Sequence, residues 1–134
     1  MTEWPLTSDV ARQRIVERSE TIARVKQVAR RHLVEHGVAG VQLPAIAREL
    51  SMPVIEMSKY VASLDALLVE LVADLWGELA DAIEEATLVS SVMIWDRLVD
   101  GARALRRWAI TYPQEFRLLF GISNPAATVL PDAP

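Results

Sequence analysis

The chain contains no cysteine. A disulfide framework and a thiolate metal site are therefore excluded, and the composition suits a reducing, cytoplasmic setting. Glycine is scarce, with 5 residues in all, and no Gly-rich phosphate loop is present. No Ser-His-Asp set and no close pair of carboxylates on one helix face stands out. Asp81, Glu84 and Glu85 read as solvated surface. The chain therefore reads as a non-enzyme more readily than as an enzyme, with no catalytic residue and no cofactor expected. Period-two alternation, hairpin dipeptides and internal repeats are also missing, which leaves no case for strands. The apolar stretch Leu67–Leu79 is broken by acids every few residues, so no membrane span and no membrane partner are expected. Met1–Val10 lacks the basic start and apolar run of a secretory signal.

What is present is a globular composition. Of 134 residues, 51% are hydrophobic and 24% charged, enough for a real core in one domain or two closely packed halves. The net charge of −4 is unevenly placed. Residues 1–60 hold nine Lys and Arg against seven acids, whereas residues 61–134 hold five Arg against eleven acids. A mildly basic head on an acidic body suits a nucleic-acid-facing module joined to something else.

The helical pattern is continuous. Pro5 and Thr7-Ser8-Asp9 suggest a loose N-terminal arm. Val10–His36 has no Gly or Pro, and Ile22, Val25, Ala29 and Leu33 recur at spacings of three and four, the stripe of an amphipathic helix. Gly37 fits its stop. Pro44–Leu50 predicts a two-turn helix with Pro44 first and Ile46, Ala47 and Leu50 inward. Ser51-Met52-Pro53 breaks it, and Pro53–Tyr60 predicts a second short helix. Ser63 is placed to cap a long helix over Leu64 to about Ala86, with Leu64, Leu67, Leu68, Leu71, Leu75, Leu79, Ala82 and Ile83 inward. Further helices are expected over Ser90–Tyr112, with Gly101 at a close contact or kink, and over Gln114–Phe120. The tail from Ile122 to Pro134 is rich in proline and reads as loop. The expected fold class is all-α. The expected division is an arm over 1–18, a helix-turn-helix head over 19–63, a helical body over 64–121 and a tail over 122–134.

Two short helices joined by a tight turn and seated on longer neighbours is the plan of a helix-turn-helix, whose second short helix enters the major groove in DNA-binding versions. The residues Ala29, Leu33, Gly37, Ile46-Ala47, Met52, Tyr60 and Leu67-Leu68 resemble the N-terminal domain of the TetR (tetracycline repressor) family. Downstream, Arg107-Trp108-Ala109, Tyr112-Pro113 and Phe116-Arg117-Leu118-Leu119-Phe120-Gly121 are similar to the ligand-domain segment of many actinobacterial members. The resemblance implies a one-component repressor. Its head would bind operator DNA as a homodimer, and its body would bind a small hydrophobic or aromatic ligand and release the DNA.

Several positions depart from that pattern. Ser51 stands where the family usually has a turn glycine, and a left-handed residue other than Gly costs roughly 1 kcal/mol. Pro53 and Val54 occupy the usual polar start of the recognition helix, and Ile55 its small glycine. Ser58 replaces a phosphate-binding Tyr, Val61 an aromatic, Leu64 a phosphate-facing Lys and Pro44 a basic residue. Family members are also longer and dimerise through two last helices, so a dimer here would need another face. The candidate DNA contacts are Gln42, Arg48, Ser58, Lys59, Tyr60 and Ser63, with Arg12, Arg14 and Arg18 on the arm. Glu56 facing phosphate would repel it. The alternative is a derived relative that no longer binds DNA and serves a small hydrophobic molecule or a protein partner, or even hosts chemistry.

In the body, Trp76, Met93, Trp95, Trp108, Tyr112, Phe116 and Phe120, with Arg103 nearby, have two open readings: core packing, or an aromatic-lined ligand pocket. His32-Leu33-Val34-Glu35-His36 matches H-x-x-E-H, with its two His on one helix face. No obvious third ligand follows, and His at a helix end is favoured by the dipole, so no metal is expected.

Overall fold

The computed structural model describes residues 4–90 and 92–121, with side chains from residue 8 onward. Among the described residues six α-helices follow in order: α1 (Trp4–His36), α2 (Leu43–Glu49), α3 (Val54–Met57), α4 (Leu64–Leu88), α5 (Ile94–Thr111) and α6 (Pro113–Leu119). A single 3-10 turn, Val38–Gly40, joins α1 to α2. Among the described residues there is no strand, and no helix is long and apolar enough to cross a membrane. The expected all-α class is what the structure shows.

The N-terminal segment corrects one expectation. It is no loose arm but part of α1, which is helical from Trp4. Pro5 lies in the first turn, where its missing N–H costs nothing. Residues 8–20 are all exposed; burial begins around Thr21. Beyond it, Val25, Ala29 and Leu33 are fully buried, as their spacing implies. Gly37 ends the helix in a left-handed conformation at φ 75°, its N–H donating to the Leu33 carbonyl at 2.8 Å. Only glycine takes that conformation without strain.

The short elements sit on this helix. α2 begins one residue earlier than the Pro44 signal suggested, with Pro44 still in its first turn. Its inward residues Ile46 and Ala47 are buried, and Leu50 is half-buried. α3 is shorter than the expected Pro53–Tyr60 span: Pro53 is its N-cap and Met57 its last helical residue. Beyond Met57 the chain tightens, with the Lys59 N–H reaching the Glu56 carbonyl and the Tyr60 N–H the Met57 carbonyl.

Ser63 caps α4 as expected, its hydroxyl accepting from the Ala66 N–H at 3.1 Å. Leu67, Leu71, Leu75 and Leu79 form the buried stripe of that helix. Each such side chain contributes roughly 1.5–3 kcal/mol on leaving water. α5 starts later than Ser90, with Met93 as its N-cap. Pro113 opens α6 rather than merely closing α5. A Cβ added to Gly101 would lie 3.6 Å from Thr87 and 3.7 Å from Ile83, so this glycine marks ordinary close packing of α5 on α4. One continuous core links Val25, Leu33, Ile46, Met57, Leu67, Leu75, Trp108 and Leu118. The region 122–134, read as loop, lies outside the described residues.

Three ionic ties fix the layers. Lys26 Nζ reaches Asp74 at 2.8 Å and Arg30 Nη1 reaches Glu78 at 2.5 Å. Both pairs span 48 residues, so α1 and α4 run in the same sense along this contact. Arg30 Nη2 also lies 3.5 Å from Oε2 of the buried Glu115 on α6. At the other end of α2, Glu49 pairs with Arg31 and lies 3.2 Å from His32 Nε2.

Candidate nucleic-acid interface

The turn between α2 and α3 is built from backbone bonds. The Leu50 N–H donates to the Ile46 carbonyl, the Ser51 N–H to Arg48 and the Met52 N–H to Ala47. Ser51 is left-handed at φ 53°, at the position where the resemblance puts glycine. The turn geometry is therefore kept without the residue that makes it cheap, at about 1 kcal/mol.

α3 is anchored from below. Met57 is 1% exposed and Val61 is buried, and Tyr60 packs against the same core. From this seat Val54, Ile55, Glu56, Ser58 and Lys59 face outward, Ile55 at 81% exposure. A short rod thus stands clear of the body, as helix-turn-helix geometry requires. Its outer face offers one cation, one anion, one hydroxyl and two bulky aliphatic side chains. The Ser58 hydroxyl already donates to the Ile55 carbonyl at 2.5 Å.

Besides Ser58, the other five DNA-contact candidates fall in three settings. Lys59 and Arg48 are exposed and make no ion pair among the described residues. Gln42, the N-cap of α2, donates through Nε2 to the Ala39 carbonyl at 3.1 Å, and Ser63 is occupied with capping α4. Tyr60 is half-buried beneath the Arg18 guanidinium, 5.6 Å from its ring centre. This last contact brings α1 beside the turn that follows α3, and Arg14, one turn before Arg18, shares its helix face. Sequence reasoning placed Arg18 on an arm and had no signal for its stacking on Tyr60.

The eight residues considered for a ligand do not line one cavity. Trp108 is buried and lies 5.3 Å from Tyr112. Phe116 stacks on Phe120 at 4.4 Å, and Trp76 meets Phe120 edge-on at 5.4 Å. Met93 and Trp95 lie outside these aromatic contacts, 70% and 75% exposed at the start of α5. Arg103 is exposed and lies 3.8 Å from Asp100. A groove of about 460 Å³ between α4 and α5 takes in Trp108 and Tyr112 with Glu85 and Arg107. The network at its edge was not foreseen: Arg30 lies over Tyr112 at 5.5 Å while holding Glu78 and Glu115. The hydrogen bond that Arg30 donates to Glu78 raises the Arg30 pKa above its ordinary value, with burial opposing and the charges of Glu78 and Glu115 adding. Two basic residues four apart on α1, and two acids four apart on α4, were visible in the sequence; their pairing was not.

His32, of the H-x-x-E-H motif, is 8% exposed and spends Nε2 on Glu49. His36 lies 3.7 Å from Glu35. Among the described residues no group of three or more His, Asp and Glu is placed to hold a metal ion.

No known family profile matches the chain. It is 38% identical over 116 residues to the HTH-type transcriptional regulator Rv1816 of Mycobacterium tuberculosis (strain H37Rv), and equally to Mb1846 of Mycobacterium bovis. These matches cover 86% of this chain and 50% of each relative, so the chain spans about half the length of the curated relatives it matches. The crystal structure of SCO4313, a candidate regulatory protein, superposes with a TM-score of 0.69 at 29% identity, covering 81% of this chain and 51% of that one. A Rhodococcus sp. RHA1 protein of unknown function superposes with the same TM-score at 25% identity, covering 75% of this chain and 52% of that one.

Proposed function

We propose that the chain is a DNA-binding transcriptional regulator of TetR type, with a helix-turn-helix head over 19–63 and a ligand-binding body over 64–121. The observation that carries this reading is the left-handed turn at Ser51 leading into a short helix held by Met57 with its other face exposed. Relatives named HTH-type transcriptional regulators support it. The phosphate-facing set is Gln42, Arg48, Ser58, Lys59, Tyr60 and Ser63, with Arg14 and Arg18 of α1 beside them. In the body, the Trp108–Tyr112 groove takes a small hydrophobic or aromatic ligand. The protein acts as a cytoplasmic homodimer.

The test is a fluorescence-anisotropy titration with DNA from the chain's own upstream region. Binding is expected at low salt and falls steeply as salt rises, because each neutralised phosphate releases counterions. Lys59→Ala and Arg48→Ala each weaken binding and flatten the salt slope by about one unit. No binding at low salt refutes the proposal.

One observation favours a second reading. The outward face of α3 presents Val54 and Ile55, 50% and 81% exposed, and Glu56. Such a face suits an apolar partner better than a phosphate backbone. A chain that ignores DNA at every salt concentration, and whose ligand binding is intact, would belong to this class.

A further inference from the structure

The outward face of α3 is apolar where a phosphate backbone wants charge. Ile55 lies two residues from the buried Met57, and so on roughly the opposite side of the helix. It is the most exposed side chain of the pair it makes with Val54. Glu56, beside them, is exposed and makes no ion pair among the described residues. A phosphate repels Glu56 and gains nothing from Ile55 or Val54. The floor of the major groove is different chemistry. Thymine displays its C5 methyl group there and cytosine its N4 amino donor. An apolar side chain covers the first, and a carboxylate accepts from the second.

We propose that Ile55, with Val54 beside it, is the specificity-determining contact of α3 and reads the C5 methyl groups of thymine in the major groove. The proposal rests on the DNA-binding reading above and names what that site recognises. Three observations select thymine methyls as the occupant. First, Ile55 tops the rod that Met57 seats, the place that meets base edges when such a helix enters the groove. Second, the apolar surface is small. Two aliphatic side chains on a four-residue helix fall far short of the roughly 800 Å² that each partner gives to a stable protein interface, whereas one side chain suffices to cover a methyl group. Third, the hydroxyl proton that could read a base edge is already used: Ser58 donates it to the Ile55 carbonyl at 2.5 Å. Contact with methyl groups is then the main sequence-dependent term that this face can supply, while Lys59 and Arg48 supply charge.

Deoxyuridine differs from thymidine only in lacking that methyl group, so replacing one by the other tests the contact without knowledge of the operator. The upstream DNA of the titration above is made twice, once with thymidine and once with deoxyuridine at every thymine position. The full 134-residue chain should bind the uracil duplex about 4-fold more weakly for each methyl group it covers. The salt slope should be the same on both duplexes, because the phosphate contacts do not change. Ile55→Ala should bind the thymine duplex more weakly and distinguish the two duplexes little, and Ile55→Val should fall between it and the wild type. Ile55 is mostly exposed, so the helical signal in circular dichroism stays unchanged. Ile110→Ala, an equally ordinary exposed aliphatic position on α5, should keep the full discrimination. A wild-type chain that binds both duplexes equally overturns this contact and leaves the DNA-binding reading standing. So does discrimination that survives intact in Ile55→Ala, since the methyl groups would then act through the shape of the duplex. Absence of binding to either duplex at low salt overturns both, and is the result expected if the face of α3 serves a protein partner.

Discussion

Replacing Arg30 by methionine probes a place where three helices meet through a single side chain. Arg30 reaches Glu78 on α4 at 2.5 Å, Glu115 on α6 at 3.5 Å, and covers the Tyr112 ring at 5.5 Å. The two acids differ in setting. The Glu78 side chain is 45% exposed, so its pair is worth at most about 0.5 kcal/mol. The Glu115 side chain is 3% exposed, and removing the cation leaves a carboxylate in the core. Breaking a fully buried pair costs about 3–5 kcal/mol. The Arg30 side chain is itself 29% exposed and its contact with Glu115 is long, which brings the expected loss to about 2 kcal/mol. Methionine keeps the apolar stem, so the loss isolates the charge. Urea denaturation followed by circular dichroism measures it, as does a drop in Tm of about 8 °C for a domain of this size. The double variant Arg30→Met/Glu115→Leu should recover most of the loss, because an apolar pair fills the site without an uncompensated charge, and the coupling energy should be about 1–2 kcal/mol. The Arg30 pKa is raised, chiefly by Glu78. A cation held above its ordinary value contributes fully below that value and loses its contribution only as pH climbs through the folded one. The Arg30→Met loss should therefore be flat from about pH 6 to about pH 9. A loss below about 0.5 kcal/mol, or a double variant no more stable than the single, would refute the reasoning.

Three further substitutions test local claims by the same denaturation assay. Ser51→Gly should stabilise the chain by up to about 1 kcal/mol, because φ at residue 51 is 53° and glycine relieves the left-handed strain. Gly40→Ala should destabilise by about 1–3 kcal/mol, since its Cβ would fall 2.3 Å from the His36 Cβ and the turn would have to open. Ser63→Ala removes the oxygen that accepts from the Ala66 N–H and should cost about 1 kcal/mol.

Much of this architecture could be read from local chemistry. The leucine stripe of α4, the Ser63 cap and the Gly37 stop are each dictated by residues a few positions apart, and each is where the sequence puts it. The same holds for Ile46 and Ala47, whose burial follows from a two-turn apolar repeat. What escaped are distances across the chain. Whether residues 4–18 continue as helix depends only on the absence of a breaker after the first turn, and polar composition was a poor guide to that. The truncation of α3 at Met57 follows from a tighter turn that brings Tyr60 under Arg18. The eight aromatic-set residues share helices but not a direction: Trp95 and Trp108, both on α5, are 75% and 5% exposed. Periodicity within a helix ranks its faces, but only the position of α4 decides which face is covered.

α1 is one covalent rod with two environments. From Val25 to Leu33 its inward side is sealed under three other helices. From residue 8 to Arg18 every described side chain is exposed, so those turns rest mainly on backbone hydrogen bonds and intrinsic propensity. Amide protons along this single helix should accordingly span fast to globally protected exchange, with the break near Arg18. Trypsin should trim the rod at Arg12 and Arg14 while the core behind them stays whole.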